Sequence, residues 1–325
     1  MDFRKTIAGL SGNAALTPRL ILLLATFTIG CEAHMNPKPF DLVTEVKKIG
    51  GEVTCDEESP GKPIVGLILN GSQVTDAWLD HLKGLTTLRS LDLSGTKLTD
   101  AGLDRLKGLH TLRALDLSGT DVTDSGLERL KELTNLEEVL LYSTAVTDAG
   151  LAHLKGLTKL RNLNISGTNP VVCDQRTNVT DAGLRQLSAL TNLELLNVEY
   201  RNVDDDGLKY LKGLAKLKDL SLAGTNVTGV GLGYLKGLTN LRVLSLFNTN
   251  VTDAGLMHLK GLANLEILSI GSTSGPIGNT QVTDAGLDNL KGLTKLKSLT
   301  LWGTHVSAEG RKSLQAALPS CNIDR

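Results

Sequence analysis

Three histidines, His81, His153 and His258, recur at one point of an internal repeat and are the first residues to weigh as a metal site. Their copies lie about 15 to 20 Å apart if stacked at strand spacing. Zinc ligands must converge within about 4 Å, so no zinc site is expected. Asp92 and Asp116 recur in the same way and fall on neighbouring strands, about 5 Å apart. Like charges so placed repel, so the pair could hold a cation or a partner's Lys; the alternative is two solvated carboxylates. The chain has no G-x-S-x-G, no P-loop and no C-x-x-C. The reading is a protein that is not an enzyme, with no cofactor and no metal.

Cys31 is the residue best placed for covalent chemistry. Arg4, Lys5 and Arg19 precede an apolar run from Leu20 to Gly30. That run is shorter than the ~20 residues of a membrane span but suits the apolar core of a signal peptide. It ends Thr28-Ile29-Gly30-Cys31, which resembles the bacterial lipobox, although Thr28 stands where Leu is usual and the leader is long. We therefore read 1–30 as a lipoprotein-type signal peptide, Cys31 as the lipidated residue and 31–39 as a tether. This implies a membrane-anchored, extracytoplasmic protein. Plain secretion is an alternative, as is a cytoplasmic protein started at Met35. Of the other cysteines, Cys55 and Cys321 fall at opposite ends of the repeat array, about 45 Å apart, with Cys173 roughly 20 Å from either. A disulfide needs Cα atoms within about 7 Å, so no intrachain bridge is expected and Cys173 reads as a free thiol.

What would position these residues is one unit repeated ten times. Registered on the first residue of a Leu-x-Leu core, the copies begin at Leu67, Leu91, Leu115, Val139, Leu163, Leu196, Leu220, Leu244, Leu268 and Leu299. The spacings are 24, 24, 24, 24, 33, 24, 24, 24 and 31 residues. In each copy Leu-x-x-Leu-x-Leu alternates as a strand with one buried face should. Thr-Asp-Ala-Gly-Leu-x-x-Leu-Lys-Gly-Leu, as at Thr99–Leu109, reads as a helix of about two turns. Thr99 or Asp100 caps its start, the Asp facing the helix dipole, and Gly108 is a left-handed stop. A Thr column (Thr96, Thr120, Thr144, Thr168, Thr225, Thr249, Thr273, Thr304) can bond the turning backbone. Arg201 breaks it in copy six, where a bulge is expected with Asn202 taking over.

No copy can bury its apolar face alone, so the copies must stack and be covered at both ends. Residues 40–63 read as the N-terminal cap, with a short amphipathic helix over 41–49 and a strand over 52–55. Residues 64–318 are the repeat domain and 319–325 the C-terminal cap, a truncated eleventh strand. Trp78 replaces the repeat glycine in copy one and is expected to pack on the cap. Net charge is −1. Eight copies carry Asp at the helix start and eight carry Lys at its end, so the columns offset each other and nucleic-acid binding is not expected.

These motifs resemble the leucine-rich repeat superfamily over roughly four-fifths of the chain. Val146-Thr-Asp-Ala-Gly-Leu151 is most similar to the cysteine-containing subtype, with Thr in place of Cys, and the whole to planctomycete tandem-repeat proteins. The resemblance implies an α/β, right-handed horseshoe solenoid, with parallel strands on the concave face and short helices on the convex face. It implies a non-catalytic scaffold for protein–protein interaction. The alternative is an intracellular adaptor of the F-box-like type, although no F-box-like segment precedes the repeats.

On such a scaffold the concave column after the second core Leu carries Tyr142, Phe247 and Trp302, with Tyr200 beside it. Exposed aromatics are favoured as binding hot spots. Two inserts, 170–178 and 275–281, leave the same rim and are flanked by these aromatics. The partner-binding candidates are therefore Tyr142, Tyr200, Arg201, Phe247, Trp302, Asp92 and Asp116; the alternative is that the aromatics only hold the inserts down. The expected partner of this monomer is a protein or peptide, with membrane contact through the N-terminal lipid only.

Overall fold

A computed structural model describes residues 41–71, 73–168, 179–273 and 281–324. Cys31, Cys173, the insert 170–178 and all but the last residue of the insert 275–281 lie outside them. The chain divides into two compact units, with the boundary between Leu193 and Glu194.

In the first unit the helix α1 (Leu42–Lys48) starts at Asp41, whose carboxylate accepts from the Val43 N–H, and it buries Val46. The strand β1 (Glu52–Cys55) pairs antiparallel with β2 (Ile64–Ile68). From there every pairing is parallel, through β3 (Ser90–Asp92), β4 (Ala114–Asp116), β5 (Glu138–Leu140) and β6 (Asn162–Asn164). The register sets Leu67, Leu91, Leu115, Val139 and Leu163 side by side. In the second unit β7 (Leu195–Asn197), β8 (Asp219–Ser221), β9 (Val243–Ser245), β10 (Ile267–Ser269), β11 (Ser298–Thr300) and β12 (Asn322–Asp324) continue in parallel. Leu196, Leu220, Leu244, Leu268, Leu299 and Ile323 form the matching row. The spacing of the Leu-x-Leu cores is thus the strand register.

The Thr column acts as expected in six copies. The hydroxyls of Thr96, Thr120, Thr144, Thr225, Thr249 and Thr304 donate to the carbonyl three residues earlier at 2.6–2.8 Å. Arg201 departs from expectation. Its N–H donates to the Val198 carbonyl at 3.3 Å, the same turn bond as at Thr96 and Thr120, so the backbone does not bulge. Arg201 is buried, and Asn202 faces solvent, where it accepts from Asn226 instead of taking over the turn.

In copies two, three, four, six, eight and nine the helix is a short α segment that tightens into a 3-10 turn, as in Asp100–Leu103 followed by Asp104–Leu106. Asp76–Leu82 and Gly231–Gly237 are wholly 3-10, and Asp181–Leu187 and Ala308–Ala317 wholly α. Among the repeat-end glycines, only Gly84 and Gly108 are left-handed. The Asp column does more than face a dipole. Between copies three and four the Thr147 N–H and hydroxyl donate to Asp124 Oδ1 and Oδ2 at 2.7 and 2.6 Å, and Thr147 Oγ in turn accepts from the Ala149 N–H. The same clasp joins Asp76 to Thr99, Asp100 to Thr123, Asp148 to Thr180, Asp205 to Thr228, Asp253 to Thr283 and Asp284 to Ser307. It also explains the glycine column. A Cβ on Gly102, Gly126, Gly150, Gly183, Gly231, Gly286 or Gly310 would run into the carboxylate of the preceding copy. Trp78 stands at that position in copy one, and its ring meets His81 of its own helix edge-on at 5.5 Å.

Cys55 is disulfide-bonded, which overturns the expectation of no intrachain bridge; its partner lies outside the described residues. Strand spacing fixes the place of a cysteine only within a regular copy, and neither Cys31 nor Cys173 belongs to one. Cys321 is a free, buried thiol, pushed up to about 11 by burial.

Candidate recognition face

The strands of each unit present two outward columns. One lies between the core leucines and holds Asp92 and Asp116, paired across β3 and β4 as expected. Each carboxylate accepts the N–H two residues on, Ser94 at 2.9 Å and Ser118 at 2.8 Å, so both are tied into their own turns. Asp92 is buried and offers little surface to a partner. Asp116 is pushed up to about 6, first by burial and then by the negative charges of Asp92 and Glu138, against hydrogen bonds from Ser118. Glu138 is buried, raised by desolvation, and accepts from Asn162. Among the described residues no cluster of three or more such ligands is placed to hold a metal ion.

The sign of the Asp116 effect follows from linkage. A carboxyl raised in the fold binds its proton more tightly there than in the unfolded chain, so it supports folding at low pH. That support is lost as pH rises through about 6. Asn164 and Asn197, in the same column, accept the equivalent N–H at 3.0 and 2.9 Å without a charge. Asp116→Asn is therefore expected to stabilise the protein by roughly 2 kcal/mol at pH 8 and by progressively less toward pH 4. Denaturant titrations at the two pH values test this; a loss at pH 8 would mean the charge itself is used in the fold.

The other column carries the aromatics. Tyr142 is 44% exposed and Trp302 is 51% exposed. Phe247 is half-buried because its ring occupies the room left by Gly271, where a Cβ would come within 3.0 Å of it. Gly271 also lies under the Trp302 carbonyl, so the structure brings Phe247 and the backbone of Trp302 together across copy nine. Tyr200 is half-buried in a left-handed conformation (φ +56°), with its ring over Gly224. A bulky residue held there costs about 1–2 kcal/mol, and the ring packing offsets that. Arg201 is only 3% exposed, and burial brings its guanidinium down to about 10. It cannot present its charge to a partner, which removes it from direct contact. Of the candidates, Tyr142 and Trp302 keep the most free surface, and Phe247 and Tyr200 serve first as packing.

Sequence reasoning missed Glu199. It is raised by desolvation and accepts from Ser221, so it sits as a shielded carboxylate on the strand face of the second unit. A Glu within an otherwise small or aromatic column was the available signal.

A family model described as Leucine Rich repeat matches residues 84–107, 108–131 and 237–260. Among solved structures the chain is similar to an internalin (inlF) from Listeria monocytogenes, with 21% identity and a TM-score of 0.44, over 82% of this chain and 91% of that one. It is also similar to an internalin C2 (inlC2) from the same organism, with 20% identity and a TM-score of 0.42, over 87% of this chain and 91% of that one. No curated protein matches the chain. With its parallel strands and short helices, the fold is a leucine-rich repeat solenoid. Scaffolds of this class are typical of protein–protein interaction and are typically non-catalytic.

Proposed function

We propose that this chain is a non-catalytic recognition scaffold that binds a protein or peptide through its strands, with Tyr142 as the anchor on the first unit and Trp302 as the anchor on the second. The exposure of each aromatic on the strand face of its own unit carries the reading, since half-exposed aromatics do little for the core and much for an interface. The side chains of Phe247 and Tyr200 support the sheet beside them. The Val-Thr-Asp-Ala-Gly-Leu segment supports the finer placement as a Thr variant of the cysteine-containing subtype, and the repeat pattern as a whole supports a likeness to planctomycete tandem-repeat proteins.

The test is affinity capture from the native organism with wild type, Tyr142→Ala and Trp302→Ala. Loss of one specific partner, with the melting temperature unchanged, is the expected result. Undiminished capture by both variants ends the strand-face reading. Phe247→Ala is the wrong probe, because its ring is packed over Gly271 and its removal lowers stability by itself.

We infer an extracytoplasmic location with a lipid on Cys31. The disulfide at Cys55 supports an oxidising compartment and speaks against the intracellular adaptor. No described helix is long and apolar enough to cross a membrane. Cys31 can carry a thioether or a disulfide but never both. Palmitate labelling with peptide mapping under non-reducing conditions tests this: a Cys31–Cys55 peptide, or an unlabelled chain, ends the anchor.

A further inference from the structure

The helix faces of the two ends of the repeat array differ in chemistry. In copies one to three this face is laced by charge. Asp80, Asp104 and Glu128, each the fifth residue of its helix, pair with Lys83, Lys107 and Lys131 at the eighth position, at 2.9, 2.8 and 3.4 Å. Arg105 and Arg129, at the sixth position, reach back to Asp80 and Asp104 of the preceding copy at 3.0 and 3.6 Å. Copy nine repeats the pair as Asp288–Lys291. The fifth position therefore neighbours the eighth of its own copy and the sixth of the next.

Copies six to eight keep this geometry and change the residues. The fifth positions are Lys209, Gly233 and Met257, and the sixth are Tyr210, Tyr234 and His258. A Cβ on Gly233 would lie 3.8 Å from the His258 ring, the same neighbour relation as Asp80 to Arg105. Lys212, Lys236 and Lys260 keep the eighth position, exposed, but the acid three residues earlier is gone. None of the three forms an ion pair among the described residues, whereas Lys209 is held by Asp206. Beside them Val230 is 74%, Met257 53% and Tyr234 38% exposed. Among the described residues these are three of the five exposed large apolar side chains; Tyr234 and Met257 lie on adjacent helices and Val230 at the N-cap of the first. Single exposed apolar residues are ordinary; a cluster rimmed by unpaired charge marks an interaction surface.

We propose that the helix face of copies six to eight docks an acidic, partly apolar segment of a partner protein. Its apolar side chains cover Val230, Tyr234 and Met257, and its carboxylates meet Lys212, Lys236 and Lys260. Charge complementarity sets the sign of the partner, and the exposed apolar trio requires side chains that a purely acidic polymer lacks. The proposal rests on the scaffold reading but uses the face opposite to Trp302.

The test uses the full chain and a fluorescein-labelled peptide in which Glu alternates with Leu and Phe. A Lys-for-Glu peptide and phosphatidylglycerol vesicles serve as comparators. The acidic peptide is expected to bind wild type and to protect Lys236 and Lys260, but not Lys107, from acetylation. The Lys236→Glu, Lys260→Glu double variant is expected to bind at least roughly tenfold more weakly with an unchanged melting temperature. Met257→Ser should weaken binding without altering its salt dependence. Tyr142→Ala and Trp302→Ala should bind the peptide normally, so failure of the strand-face reading leaves this result intact. Equal binding by the double variant or preference for the Lys peptide would overturn the proposal. So would binding of vesicles in place of peptide, or self-association abolished by Met257→Ser.

Discussion

Asp124→Ala is expected to lower the unfolding free energy by about 3 kcal/mol, far beyond an ordinary change at a half-exposed carboxylate. The substitution removes two charge-assisted bonds, to the Thr147 N–H and to the Thr147 hydroxyl. It also leaves that N–H without its acceptor at the start of the next helix, where helices have donors to satisfy. Asp124→Asn keeps an acceptor for the N–H and should cost about half as much. A cycle with Thr147→Val isolates the pair, since the two are in direct contact. Gly150→Ala tests the same joint from the other side. Ala in place of a helical Gly normally stabilises by about 1 kcal/mol. Here its Cβ would meet the Asp124 carboxylate and come within 3.1 Å of the Asp124 Cα. The sign is therefore expected to reverse, to a loss of roughly 2 kcal/mol that shrinks in the Asp124→Ala background. Denaturant unfolding reads all of these; Asp124→Ala within roughly 0.5 kcal/mol of wild type would show that the clasp contributes nothing.

Gly229→Asp is expected to destabilise by at least about 3 kcal/mol, although it restores the residue found at the helix start in eight copies. Copy seven has no clasp to copy eight: Thr252 makes no side-chain cap bond, and Gly229 stands where the Asp would be. The two helices meet instead through backbone. A Cβ on Gly229 would lie 2.6 Å from the Gly255 Cα and 2.9 Å from the Gly255 nitrogen. Neither atom can turn aside as a side chain can, so the copies must separate to admit any Cβ. Ala at Gly229 should be nearly as damaging as Asp, because the first carbon does the harm. A raised melting temperature for Gly229→Asp would mean that the joint relaxes and the clasp re-forms. The seam joins the same two copies that carry the exposed Val230, Tyr234 and Met257.

The repeat array was readable because its signals are local. The alternation around Leu91, Leu115 and their equivalents set the strands, and their even spacing set a parallel register that the pairing of Leu67 through Leu163 reproduces. The Thr column was readable for the same reason, since each hydroxyl bonds a carbonyl only three residues away. The candidate site was readable only as columns. Which aromatics stand free depended on glycines in neighbouring copies: Gly271 lets the Phe247 ring settle, and Gly224 lets Tyr200 do so, whereas Tyr142 and Trp302 remain exposed. Arg201 was misread because a long side chain in a Thr slot looks like a break, yet the turn bond needs only its backbone N–H.

By itself the sequence determined the repeat unit, the number of copies, the strand register and the turn chemistry, because each is settled by residues within one copy or by the spacing between copies. The tertiary structure decided what joins the copies and what they leave exposed. The Asp–Thr clasp links residues 23 apart, or 30 and 32 where an insert intervenes. Its glycine is required by a carboxylate from the copy before, which no inspection of a single helix reveals. The unpaired lysines beside Met257 and Tyr234 are likewise defined by the missing acids around them. Both are properties of contact between stacked copies, and such contact exists only once the chain has folded.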